Sequence, residues 1–148
     1  MYKHILIPTD GSETAEKAVA AGIEFARDAN ARITWFTAVP EYDVPGEAEV
    51  MGRQPIVSLE AHNTRSRELA EKILAEPARK ARAAGIACAT DYAQSNHPYE
   101  AIIAAAQRHG CDLIFMSSHG RKTLPALFLG SETRDVLSHS TIPTLVYR

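Results

Sequence analysis

Four residues in the last third of the chain have the types and spacing of an anion cradle. Ser117, Gly120, Gly130 and Ser131 form S-x-x-G-x9-G-S, between an apolar run, Leu113-Ile114-Phe115-Met116, and a helix-like segment, Ser131 to His139. Glycine has no Cβ, so the backbone beside it can approach a phosphate closely. A serine that opens a helix offers its N–H, its hydroxyl and the positive helix end, roughly half a charge. Arg121 and Lys122 add full charges nearby. A second polar turn, Pro8-Thr9-Asp10-Gly11-Ser12, follows the first apolar run. Asp10 can accept hydrogen bonds from sugar hydroxyls or share a divalent cation with a phosphate. These groups suit the holding of a phosphorylated ligand. No residue stands out as a general base for attack by water.

Each feature also has a plainer use. Gly120 and Gly130 can simply punctuate elements. Ser131 can be an N-cap, and Asp10 can be one too, with Glu13 completing a capping box. Several familiar sites are absent. G-x-G-x-x-G does not follow the first apolar run, G-x-x-x-x-G-K-[ST] lacks its upstream glycine (Phe115 stands there), and G-x-S-x-G does not occur. The six histidines show no H-x-x-x-H spacing, and Cys88 and Cys111 fit no metal pattern. Both cysteines lie in or beside apolar runs and read as buried, reduced thiols.

The elements that must position these groups alternate along the chain. Ile5-Leu6-Ile7, Ile33 to Val39, Ile86 to Tyr92, Leu113 to Met116 and Thr144 to Tyr147 read as strands, the third of them as an edge strand. Between the first two, Ala15, Ala18, Val19, Gly22, Ile23 and Ala26 repeat at helical spacing and form one small-residue face. Leu59 to Ala84 is helical in composition, with Pro77 predicting a kink or break and Gly85 ending it. Pro98 opens the next helix, and Gly110 ends it. Glu41 to Ser58 shows no sustained period and reads as a long connection. The order β-α-β-α-β-α-β-α-β predicts an α/β fold with an open five-stranded parallel sheet and helices on both faces. Strand order 3-2-1-4-5 would put the loops after strands one and four at the switch point, where ligands bind in such sheets.

Length and composition set the remaining bounds. At 148 residues the sequence fits a single domain, 1–148. Hydrophobic residues are 45%, charged residues 23% and the formal net charge is −2, ordinary values that offer no basic footprint for nucleic acid. Arg79, Lys80 and Arg82 form one short basic cluster, read as a solvated helix face. No run approaches the roughly 20 apolar residues of a membrane span, so no membrane association is expected and a cytoplasmic location is the default.

The start H-I-L-I-P-T-D-G-S-E, the turn S-H-G-R, the segment L-G-S-E-T and the finish P-T-L-V-Y resemble the universal stress proteins of the UspA-like superfamily. The resemblance covers nearly the whole length. Nucleotide-binding members carry G-x2-G-x9-G-[ST] after the fourth strand, and Ser117 stands here in place of the first glycine. The resemblance implies an adenine-nucleotide α-hydrolase-like fold and an ATP-binding module of the stress response. Hydrolysis would be slow or absent, and Mg²⁺ or Mn²⁺ would be held through the phosphates rather than by a protein metal site. It implies that Asp10 meets the ribose, that Pro8 and Thr9 shape the pocket wall, and that Val39 meets adenine through its backbone. Gly120, Gly130 and Ser131 would cradle the phosphates, with Ser117, His119, Arg121, Glu132 and Thr133 completing the candidate site. It further implies a homodimer, for which the apolar C-terminal strand, Thr144 to Tyr147, is the candidate edge. Two alternatives stay open. One is a dimeric interaction module without nucleotide. The other is a weak ATPase or self-phosphorylating protein, with Ser117, Ser118, Thr123 and Ser131 as acceptors.

Overall fold

The computed structural model describes residues 1–118 and 129–148. Five strands form one parallel sheet: β1 (His4–Pro8), β2 (Arg32–Val39), β3 (Cys88–Gln94), β4 (Leu113–Ser117) and β5 (Thr144–Tyr147), in the order β3-β2-β1-β4-β5. Among the described residues the helices are α1 (Glu13–Ala29), α2 (Glu47–Val50), α3 (Leu59–Ala83), α4 (Pro98–Arg108) and α5 (Ser131–His139). Among the described residues this is the α/β architecture and strand order that the alternating pattern predicts.

Side-chain alternation along the strands splits the core into two layers. Ile5, Ile7, Ile33, Trp35, Leu113 and Phe115 face one way and meet Ala18, Val19, Ala26, Leu74, Ala78 and Ala81 of α1 and α3. Leu6, Phe36, Ile114 and Met116 face the other way and meet Ala101, Ile102, Ala105 and Val136 of α4 and α5. The continuous apolar runs of β1 and β4 exist because both faces of these strands are covered. The small-residue face of α1 allows it to lie close on the sheet. At Gly22 an added Cβ would sit 2.6 Å from Cδ1 of Ile7, so only glycine fits there without a shift in the core.

Several boundaries differ from those the sequence suggests. The third strand begins at Cys88 rather than Ile86. The Ile86 N–H instead donates to the Ala81 carbonyl in the turn that closes α3 at Gly85, whose φ is +76°. Pro77 does not break α3, which runs unbroken to Ala83. Its ring is buried beside Leu74, Ala78 and Ala81, so packing on the sheet offsets the one missing backbone donor. The long connection after β2 holds a single helical turn, α2. The Tyr42 hydroxyl ties it down by donating to the Val57 carbonyl at 2.8 Å. At the basic cluster, Arg79 pairs with Glu76 and Lys80 with Glu16, as a solvated helix face would.

Candidate functional site

The site begins where the sheet opens. β1 pairs with β2 from His4↔Arg32 to Pro8↔Phe36, and β4 pairs with β5 through Ser117↔Tyr147. Between β1 and β4, however, pairing covers only Ile5↔Leu113 and Leu6↔Ile114. The two central strands therefore part over their last residues. Their connections leave to opposite faces, β1 to α1 and β4 to α5. This is the switch point of the order 3-2-1-4-5, where open α/β sheets form a crevice at the carboxyl ends of the strands, here β1 and β4.

One wall of the crevice is the turn after β1. The Thr9 N–H donates to the Phe36 carbonyl (2.9 Å), which holds the chain on β2 one residue past the end of β1. Asp10 Oδ1 accepts from the Ser12 N–H (2.9 Å), and the Thr9 hydroxyl accepts from the Gly11 N–H (3.3 Å). Gly11 has φ +75°, a conformation that glycine adopts without strain. The cap of α1 is Ser12, whose hydroxyl accepts from the Ala15 N–H. The alternative capping box from Asp10 to Glu13 is thus not formed. The Asp10 side chain shapes the turn instead, because an aspartate two residues ahead of an N–H closes a ring that mimics a backbone turn.

The other wall is the start of α5. Its N-cap is Gly130, not Ser131, and Gly130 brings no side chain to the helix end. α1 and α3, by contrast, are capped by Ser12 and Ser58. Among the described residues no side chain caps the first N–H groups of α5, an arrangement that suits an anion at the positive end of the helix. Gly130 has φ −59° and ψ 150°, values open to any residue. Its value at this position is the missing Cβ. Two donors fix this wall to β4. The Gly130 N–H donates to the Ser118 carbonyl at 2.7 Å. The hydroxyl of Thr133, 3% exposed, donates to the carbonyls of Ser117 (3.0 Å) and Ser118 (3.4 Å).

The predicted residues other than Val39 thus fall into three groups. Pro8, Thr9 and Asp10 lie at the end of β1, and Ser117, Gly130, Ser131 and Thr133 lie at the end of β4 and the start of α5. Glu132 is at the same helix start, but its carboxylate reaches α4 and accepts from the Tyr99 N–H at 2.7 Å. It caps a neighbouring helix that has no side-chain cap of its own. His119, Gly120 and Arg121, with Lys122 and Thr123, lie outside the described residues.

Val39 is placed differently from its predicted role. Its carbonyl accepts from the Ser95 N–H at 2.8 Å, on the β3 side. N–H and C=O groups point to alternate sides along a strand. The bonds Arg32 N–H to Lys3 and Thr9 N–H to Phe36 show that even-numbered residues of β2 face β1. Ala38 therefore turns its N–H and C=O toward the crevice, one step beyond the last bond to the β1 chain. Strand alternation was the signal in the sequence that separates Ala38 from Val39, once the pairing of β2 with β1 is known.

Among the described residues no group of three His, Cys, Asp or Glu could hold a metal ion, and no helix is long and apolar enough to cross a membrane. Both cysteines are free thiols. Cys111 is buried, and burial pushes its thiol up to about 11.

Comparison with known proteins agrees with this fold. The family model described as the universal stress protein family matches residues 1–148. A universal stress protein of Thermus aquaticus is 32% identical over 152 residues, covering 100% of both chains. One from Methanocaldococcus jannaschii is 31% identical over 157 residues, covering 100% of this chain and 96% of its own. The solved structure of that M. jannaschii protein superposes with a TM-score of 0.76 at 30% identity, over 99% of this chain and 95% of its own. The fold is shared with a universal stress protein solved in complex with cAMP. That structure has a TM-score of 0.66 and 22% identity, and covers 99% of this chain and 97% of its own.

Proposed function

This chain belongs to the universal stress protein family, and from that premise we propose that it is an ATP-binding regulatory module of the cytoplasmic stress response. One observation carries the reading. The Asp10 turn and a helix start with no side-chain cap among the described residues follow the carboxyl ends of two adjacent strands, β1 and β4, at the switch point of the sheet. Phosphate oxygens suit the N–H groups of Ser131 and its neighbours, and the missing Cβ at Gly130 leaves room for them. Asp10 suits the ribose hydroxyls. The N–H and C=O of Ala38, side by side on a strand, suit the donor and acceptor edge of adenine. The fold neighbour in complex with cAMP and one from Archaeoglobus fulgidus in complex with dAMP hold adenine mononucleotides. At 22% and 19% identity they speak for the fold alone, so the reading rests on the crevice itself.

The described residues supply binding, orientation and charge. Mg²⁺ or Mn²⁺ would enter with the phosphates. The free edge of β5 supports a homodimer. The bonds Ile114 N–H to Pro143 and Ser118 N–H to Tyr147 turn odd-numbered residues of β5 toward β4. Thr144 and Val146 are left facing outward, where a second copy can pair.

The test is to release bound small molecules from the freshly purified protein by heat and separate them by chromatography. ATP in near-equal molar amount, or taken up on incubation with ATP and Mg²⁺, supports the reading. Protein that neither carries nor takes up any adenine nucleotide overturns it.

A further inference from the structure

The two edges of the sheet are finished differently. On β3, the bonds Ile33 N–H to Ala87 and Ser95 N–H to Val39 turn odd-numbered residues toward β2. Cys88, Thr90, Tyr92 and Gln94 therefore present their N–H and C=O groups outward. Such a row is a template for another strand, and natural edges are usually blunted by proline, lysine or a bulge. β3, with the sequence C-A-T-D-Y-A-Q, carries no proline and no lysine. It does carry Asp91. The Asp91 carboxylate turns to the open edge, and its Oδ1 accepts from the Tyr92 N–H at 2.8 Å. Its Oδ2 is held from the other side by His109 Nε2 (2.7 Å) and by the Arg108 guanidinium, both at the C-terminal end of α4. One of the two central outward donors of the edge is thus occupied, and a charged oxygen stands where the carbonyl of an added strand would approach.

We propose that Asp91, clamped by Arg108 and His109, is a latch that closes the outer edge of β3 to pairing with the β3 of a second copy. The committed occupant is another copy because identical edges of equal length can pair antiparallel about a two-fold axis, residue i with j and j with i. The latch also has a purpose in assembly. A sheet that pairs through β5 alone makes a closed dimer. A sheet open at both edges joins copies end to end without limit. Among the described residues no side chain accepts from the outward N–H groups of Thr144 or Val146. The guarded edge and the open edge therefore lie at opposite ends of one sheet. The inference does not rest on nucleotide binding.

Two measurements test it. In the unmutated protein, amide hydrogen exchange should show Tyr92 protected at least tenfold more than Thr90, its outward-facing neighbour on the edge. Equal exchange of the two would mean that Asp91 does not close the edge. In sedimentation velocity, Asp91→Ala should form species heavier than the unmutated protein at the same concentration. The double variant Asp91→Ala with Thr90→Pro should return to the unmutated mass, because the Thr90 N–H faces outward and proline there removes a donor only from an added strand. Asp91→Ala with unchanged mass refutes the latch, and so does added mass that Thr90→Pro fails to reverse. Should Asp91→Ala not fold, Arg108→Met weakens the same clamp and must raise the mass in the same direction.

Discussion

Replacing Thr133 with valine tests how the start of α5 is held against β4. Valine matches threonine in shape, so no cavity opens at a position that is 3% exposed. What is lost is one hydroxyl donor shared between the carbonyls of Ser117 and Ser118, 3.0 and 3.4 Å away. A typical buried hydrogen bond contributes about 1 kcal/mol net, and stranding an acceptor costs about 1–3 kcal/mol. The shorter bond dominates, so the expected loss is about 1–2 kcal/mol. For a chain of this size that lowers Tm by about 2–8 °C. Trp35, the sole tryptophan and fully buried, reports unfolding by fluorescence, and circular dichroism gives an independent melting curve. Thr133→Ser keeps the hydroxyl and loses only a methyl group. It separates the hydrogen bond from packing. If Thr133→Val melts with the unmutated protein while Thr133→Ser is destabilised, the hydroxyl bonds do not fasten α5 and the reasoning fails.

Four further outcomes follow from the packing and the charges. Gly22→Ala places a Cβ 2.6 Å from the buried Ile7 Cδ1. Overpacking of about 1–3 kcal/mol outweighs a helix-propensity gain of about 1 kcal/mol, so urea denaturation should show a lower midpoint; a stabilised variant would refute this contact. Burial, with the charges of Arg32 and His109, lowers the His4 imidazole despite Asp112. The unfolded chain then binds the proton more readily. Stability is full above the unfolded value of about 6.5 and falls as pH drops through the lowered folded value. His4→Gln should flatten that slope in urea midpoints measured between pH 8 and pH 5, and an unchanged slope would count against it. For Asp91, burial acts upward, but the bonds from His109 and Arg108 prevail and hold the carboxyl below its usual value. Its contribution is present above about pH 3.9 and is lost as pH falls through the lowered folded value. Asp91→Asn should therefore lose less stability on acidification than the unmutated protein. Burial raises the Cys111 thiol to about 11, so at pH 8 iodoacetamide should label Cys111 in native protein far more slowly than in urea; equal rates would show the site to be open.

Strand identity was legible because it depends on local pattern. The apolar runs at Ile5 and Leu113 and the β-branched and aromatic run from Ile33 each form a central strand. The small-residue face from Ala15 to Ala26 lies on the sheet as its spacing requires. Details that depend on neighbours were not legible. The sequence offered Asp10 as a cap of α1, and only the turn geometry gives the cap to Ser12 and the turn to Asp10. Glu132 reads as part of the anion loop, yet α4 comes close enough in space to take its carboxylate. Val39 and Ala38 differ by one residue, and a one-residue step reverses which way a strand's backbone groups point. Pro77 breaks a helix in isolation but survives in one whose apolar face is anchored along the sheet. The β1–β4 crevice itself follows from the strand order, which alternation and right-handed crossovers narrow to a few choices.

The central claim is that the start of α5 holds the phosphates of an adenine nucleotide. Gly130 adopts φ −59° and ψ 150°, so valine fits its backbone and Gly130→Val should fold, as the Trp35 melting curve can verify. Titration calorimetry of ATP with Mg²⁺ into both proteins is the direct test. The account predicts saturable binding by the unmutated protein and a loss of at least tenfold in affinity in Gly130→Val. Equal affinity in the two proteins, or no binding to the unmutated one, would contradict it.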